Sequence, residues 1–151
     1  MFYQYGPGLG FLATVRPDGG PRLHPVCPIV GNGGLYLALV PSRKSRDLLR
    51  DPRFALHAML PEEVDDEFVV TGRAVEIDSP DGRADVQAND GNPIHAADTV
   101  FELLVETALL ARYRHRGDWP PTYTRWRLGH GADAPVSETV TTSPPDAGSA
   151  A

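Results

Sequence analysis

The chain has 151 residues and a formal net charge of −6, with 41% apolar and 23% charged residues, a length and composition that fit one soluble globular domain. No apolar run approaches the roughly 18 residues that a membrane-spanning helix requires, so no membrane partner is expected. The acidic balance argues against a nucleic-acid binder, which needs a broad basic face, and the single cysteine, Cys27, allows no internal disulfide and points to a reducing cytoplasm.

In chain order, the apolar run Phe11 to Val15 meets Pro17-Asp18-Gly19-Gly20 and then a second run, Leu23 to Val30. Run, Asp-Gly turn and run predict a hairpin. Cys27 lies in the second run between Val26 and Pro28, without an activating neighbour, and is expected to be a buried structural thiol. A second turn, Gly31-Asn32-Gly33-Gly34, leads into the strand-like LYLALV. The period then changes. Ser42 is a good N-cap, Leu48 and Leu49 supply an apolar edge, and Asp51-Pro52 ends the pattern, which predicts a short helix over residues 43 to 50. RFALHAML and DEFVVTGRAVEI follow as strands, with His57 half-buried in the first. SPDGRADVQANDGNP is turn-rich with room for one short helix, VFELLVETALLARYR fits helix and strand equally, HRGDWPPT is a loop, and TYTRWRL returns to strand alternation. Residues 131–151 are poor in large apolar side chains and are expected to be a disordered tail after a single domain over residues 1–130.

The helix start carries an unusual charge. Five of the 14 basic residues fall between Pro41 and Arg53, and Lys44 is the sole lysine. Arg43, Lys44 and Arg46 crowd the end of the helix where the backbone dipole is already positive, which is locally unfavourable by roughly 0.3–1 kcal/mol per charge. A bound anion, such as a phosphomonoester, would offset this by accepting the free N–H groups, the Ser42 hydroxyl and the cations together. The alternative is a solvated helix aided by an Arg43–Asp47 pair at i, i+4 spacing. Arg50 and Arg53 suit the C-terminal dipole and solvent.

Other groupings are plainer. The histidines at 24, 57, 95, 115 and 130 have no spacing that suggests a metal site, and none is expected. The acidic run Glu62 to Glu67 lacks the spaced ligands of a calcium loop and is read as a solvated connection. No catalytic acid, base or nucleophile declares itself.

The order FLATVRPDGGPRLHPV, GGLYLALVPSRKSRDLLRDPRFALH and DEFVVTGRAVEI, over residues 9 to 78, resembles the pyridoxamine 5'-phosphate oxidase-like family, the FMN-binding split barrels. The resemblance rests on the hairpin pattern T-x-x-x-D-G-x-P-x-x-x-P and on the strand, Ser-Arg-Lys, helix, Asp-Pro-Arg, strand succession. It implies a mainly β fold, a Greek-key-like split β-barrel of about six antiparallel strands with short helices, forming a homodimer with FMN at the subunit interface. Ser42, Arg43 and Lys44 would hold the cofactor phosphate, and Arg22 would reach the phosphate or the polar edge of the ring. His24 and Val26, on the strand face of Arg22, would line the ring, or Leu23 and Pro25 if the register is shifted by one. Arg125 or Trp126 would shape substrate access from the partner subunit, with core packing as the alternative. The stretch Tyr123 to His130 does not match the Trp and Arg-x-His pattern of true pyridoxamine phosphate oxidases, so vitamin B6 chemistry is not carried over. The implied activity is hydride transfer between the flavin and a nicotinamide or small-molecule substrate. The alternatives are a deazaflavin coenzyme in place of FMN, and a non-catalytic module that binds or stores flavin, deazaflavin or haem.

Overall fold

A computed structural model describes residues 8–58, 65–129 and 136–141. The strands are β1 (Gly10–Val15), β2 (Pro21–Val26), β3 (Ile29–Gly31), β4 (Gly34–Leu39), β5 (Arg53–Ala58), β6 (Glu67–Glu76), β7 (Thr99–Arg112), β8 (Thr122–Arg127) and β9 (Val136–Thr141); the helices are α1 (Arg43–Arg50) and α2 (Pro80–Gln87). Every strand pair is antiparallel, in the order β2-β1-β5-β6-β7-β4-β3, with β8 on β7 and β9 on β8. The sheet is not closed, as in a split barrel.

Local chemistry accounts for the turns. Gly19 takes φ 82° in the first hairpin, whose Arg16 and Gly20 are joined by a backbone hydrogen bond of 2.8 Å. Asn32 and Gly33 take φ 50° and 75°, the positive values of a two-residue hairpin turn. The segment that fitted helix and strand equally is β7, a 14-residue strand. One edge of β7 pairs with β6 along most of its length; the other is shared, with β4 against Thr99–Glu102 and β8 against Thr107–Arg112. More strands are present than the expected six or so, because the run Leu23 to Val30 divides into β2 and β3, the segment that fitted helix and strand equally is β7, and β9 lies in the expected tail.

Two apolar clusters lie on opposite faces of β4 and β7. Leu12, Leu37, Leu48, Leu56, Phe101 and their neighbours form the main core, and Ile29, Val86 and Val100 form a smaller one under α2. In α1, Leu48 is buried and Leu49 is 52% exposed, so only one of the paired leucines anchors the helix. His57 is half-buried as expected, and its ring Nδ1 donates to the Ala58 carbonyl at 2.6 Å.

Two expectations need correction. Cys27 is exposed rather than buried, because it sits in the link between β2 and β3 where its neighbours Val26 and Pro28 take the inward positions. Asp47 does not pair with Arg43; its carboxylate is taken by Arg22 and Arg50. Within 131–151, Val136–Thr141 enters the sheet as β9; the rest of the expected disordered tail, the first half of the acidic run (residues 62–64) and His130 lie outside the described residues.

The register of β6 on β7 shifts between Thr71 and Gly72, a bulge that brings Gly72 against the opposing backbone. A β-carbon at this position would collide with the Leu104 carbonyl oxygen, which cannot rotate away as a side chain can. Gly72→Ala is therefore expected to lose about 2 kcal/mol or more of stability in urea unfolding, whereas Gly91→Ala, which meets nothing within 4 Å, should stay within about 0.5 kcal/mol. Equal effects in the two variants would contradict the close approach.

Candidate functional site at the start of helix α1

Helix α1 begins where strand β4 ends, and Ser42 caps it. The Ser42 hydroxyl accepts from the Ser45 backbone N–H at 3.3 Å, and Ser45 Oγ accepts from the Ser42 N–H at 3.0 Å, a reciprocal box that fixes the entry of the chain. The Ser42 side chain is thus occupied in holding the helix start. The N–H groups of Arg43 and Lys44, in the first turn, have no intrahelical partner and no other hydrogen bond among the described residues. No acidic residue lies in that turn, and Arg43, Lys44 and Arg46 have no ion-pair partner among the described residues. Arg43 and Arg46 are exposed and Lys44 is half-buried. The helix start therefore presents two free backbone donors and three uncompensated cations, a donor set suited to an anion.

Arg22 is drawn to the same helix. Its Nε donates to Asp47 Oδ2 at 2.6 Å, and its side chain is 17% exposed. Thr14 Oγ1 donates to the same oxygen at 3.1 Å, and Arg50 Nη1 donates to Oδ1 at 3.2 Å. Arg50 also donates to the Val15 carbonyl, so it ties the end of α1 to the first hairpin. Arg53 pairs with Asp51 at 2.6 Å, outside the cluster.

The other residues implied by the resemblance are spread out. On β2, Arg22 and His24 are half-buried on the inward face, and Val26, only 5% exposed, belongs to the main core and offers little side-chain surface to a ring. Leu23 and Pro25 occupy the opposite, exposed face. Arg125 and Trp126 are adjacent on β8 and so point to opposite sides of the sheet. Arg125 aligns with Leu109 and stacks over the Tyr123 ring at 5.7 Å, while Trp126 aligns with Ala108. At most one of the two serves a site on a given face.

A groove of about 410 Å³ lies elsewhere, lined by Asp65, Glu67, Tyr113, Gly117, Asp118 and Trp119. Its carboxylates repel a phosphate. Asp65 is fastened to the Gly117 N–H at 2.6 Å, and neighbouring Asp66 to the Tyr113 N–H at 3.0 Å, which closes the loop on itself.

The residue that sequence reasoning missed as a centre is Asp47. Burial pushes its carboxyl up, but hydrogen bonds from Arg22, Thr14 and Arg50 more than offset this and hold it below the usual 3.8. A carboxylate depressed in the folded chain stabilises the fold above its unfolded pKa, and that contribution is lost as pH falls through the folded value. Asp47→Asn is accordingly expected to lower stability by about 3 kcal/mol at neutral pH, with the gap to the native chain narrowing as pH drops below the ordinary carboxylate range. Urea unfolding across pH checks this, and a gap that does not change with pH would contradict it.

Neither a family description nor a curated protein matches the chain. Solved structures do. A pyridoxamine 5'-phosphate oxidase-related, FMN-binding protein from Nostoc punctiforme PCC 73102 superposes with a TM-score of 0.68 at 16% identity, covering 89% of this chain and 87% of its own. PhzG from Burkholderia lata 383, solved with tetrahydrophenazine-1-carboxylic acid, gives 0.65 at 12% identity over 88% and 81%. A heme-binding protein from Mycobacterium smegmatis gives 0.60 at 18% identity over 88% of this chain but only 52% of its own. The chain has the split-barrel fold of the pyridoxamine 5'-phosphate oxidase-like proteins.

Proposed function

We propose that this protein binds FMN and acts as a flavin-dependent oxidoreductase. The observation that carries the reading is the start of α1, where free N–H groups and the unpaired cations Arg43 and Lys44 stand together, one helical turn before the Asp47 that holds Arg22. Shared architecture with a protein described as FMN-binding supports it. The phosphate would rest on the first turn of α1, and His24, half-buried two residues along β2 from Arg22, would lie toward the ring. When bound, FMN supplies hydride acceptance and donation; the chain contributes binding, orientation and the electrostatic setting of the ring. A nicotinamide or a small reduced molecule is the expected partner in hydride transfer.

The protein would act as a homodimer through the outer face of the sheet. Register places Pro25, Phe11, His57, Val69 and Leu109 in one row across β2, β1, β5, β6 and β7. The adjacent row includes Leu23, Ala13 and Ala55. Leu23 is 63% exposed and Phe11 37%, an apolar surface that no element of this chain covers among the described residues. A second copy would bury it.

The purified protein should be yellow with a flavin spectrum, and reduced nicotinamide should bleach it without oxygen. A haem Soret band, or no chromophore and no FMN uptake, would overturn the assignment. Arg43→Ala combined with Lys44→Ala should weaken FMN binding at least about tenfold, or about 1.4 kcal/mol; unchanged affinity would remove the phosphate from α1. In sedimentation, the native chain should be a dimer and Leu23→Asp with Phe11→Asp a monomer. A native monomer, or a variant that dimerises as well as the native chain, would exclude this face.

A further inference from the structure

Asp47 is 2% exposed, and binding a phosphate does not by itself call for a buried carboxylate next to the cations. Its geometry suggests what it does. It engages Arg22 through Nε alone; Nη1 and Nη2 have no hydrogen-bond partner among the described residues. A guanidinium is a rigid planar fork, so a carboxylate on Nε sets the direction in which the Nη edge points. With the side chain 17% exposed and the Nε bond at 2.6 Å, that edge is not free to swing through solvent.

Position along α1 sets what the edge can reach. Asp47 is the fifth residue of the helix, and Arg43 and Lys44 stand four and three residues before it, on the same side and one turn nearer the N-terminus. Arg22 is thereby brought against the helix just below the turn that carries the free donors. The charge balance also allows an anion there. Asp47 carries one negative charge against the two positive charges of Arg22 and Arg50, so the cluster stays cationic before Arg43 and Lys44 are counted.

We propose that Asp47 is a positioning residue for phosphate recognition, gripping Arg22 by Nε so that its two Nη groups are presented to the phosphate at the start of α1. The inference rests on the FMN reading above and goes beyond it, because it assigns the selectivity for the phosphate to a residue that does not touch the ligand. A purely structural Asp47 would instead clamp the hairpin to the helix and affect every ligand alike.

Titrations of FMN and of riboflavin, which lacks the phosphate, separate these cases in the native chain, Asp47→Asn, Arg22→Ala and the double variant. Each single variant should bind FMN at least about tenfold more weakly, with riboflavin changed by less than about twofold. The double variant should be no weaker than Arg22→Ala alone, because the carboxylate acts through the guanidinium. The inference is overturned if Asp47→Asn leaves FMN affinity intact, weakens FMN and riboflavin equally, or keeps its full penalty without Arg22. Should Asp47→Asn fail to fold, Arg22→Lys decides: lysine keeps the charge but has no Nε to grip, so a loss of about tenfold supports positioning and full retention refutes it. In the apo protein, the Arg22 Nε–H should give a slowly exchanging NMR signal that disappears in Asp47→Asn; a fast-exchanging native signal contradicts the grip. A native chain that binds FMN and riboflavin equally refutes the phosphate reading itself, whereas a native preference for FMN that survives Asp47→Asn refutes the positioning role alone.

Discussion

A carboxylate shut away from water needs compensation, and the way Asp47 obtains it organises one end of the barrel. Three donors from three elements converge on it: Thr14 on β1, Arg22 on β2 and Arg50 at the end of α1. Removing a charge from water costs several kcal/mol, so the arrangement holds only while all three stay in place. The consequence is a fixed helix. Leu48, beside Asp47, drops into the main core, and the reciprocal serine cap sets where the first turn begins. Arg43 and Lys44 stand where they do because the carboxylate one turn further on is locked to the first hairpin.

This arrangement separates two kinds of positive charge that look alike in the sequence. Arg50 and Arg53 are neutralised by aspartates three and two residues before them. Arg43, Lys44 and Arg46 are left uncompensated at the end of the helix where the backbone adds to their charge. A stretch that reads as one basic run is thus divided by its aspartates into a half neutralised within the fold and a half left uncompensated.

Much of the fold was legible because its signals are local. The Asp-Gly and Asn-Gly turns require positive φ values that only a few residues supply cheaply, and both hairpins form where those residues stand. The capped helix over residues 43 to 50 was legible for the same reason. What was not legible depends on residues far apart in the chain. β7 is a strand because β4, β6 and β8 claim its edges, a fact absent from its own apolar pattern. Two partners of Asp47, Thr14 and Arg22, lie 33 and 25 residues upstream, out of reach of helix spacing, and within the helix the expected pair with Arg43 gives way to Arg50. Cys27 is exposed because a short link between strands inverts the burial expected of an apolar run. The separation of Arg125 from Trp126 was readable in principle, since neighbours on a strand face opposite sides.

Split barrels serve chemically different ligands on one frame, since proteins described as FMN-binding and heme-binding share this fold. Fold alone therefore leaves the ligand open, and the start of α1 is the feature that argues for a phosphate. The most direct measurement is a crystal structure of the protein grown with FMN. The account predicts phosphate oxygens within hydrogen-bond distance of the Arg43 and Lys44 N–H groups and of Arg22 Nη. A phosphate held on any other element, with the first turn of α1 left to solvent, would contradict it.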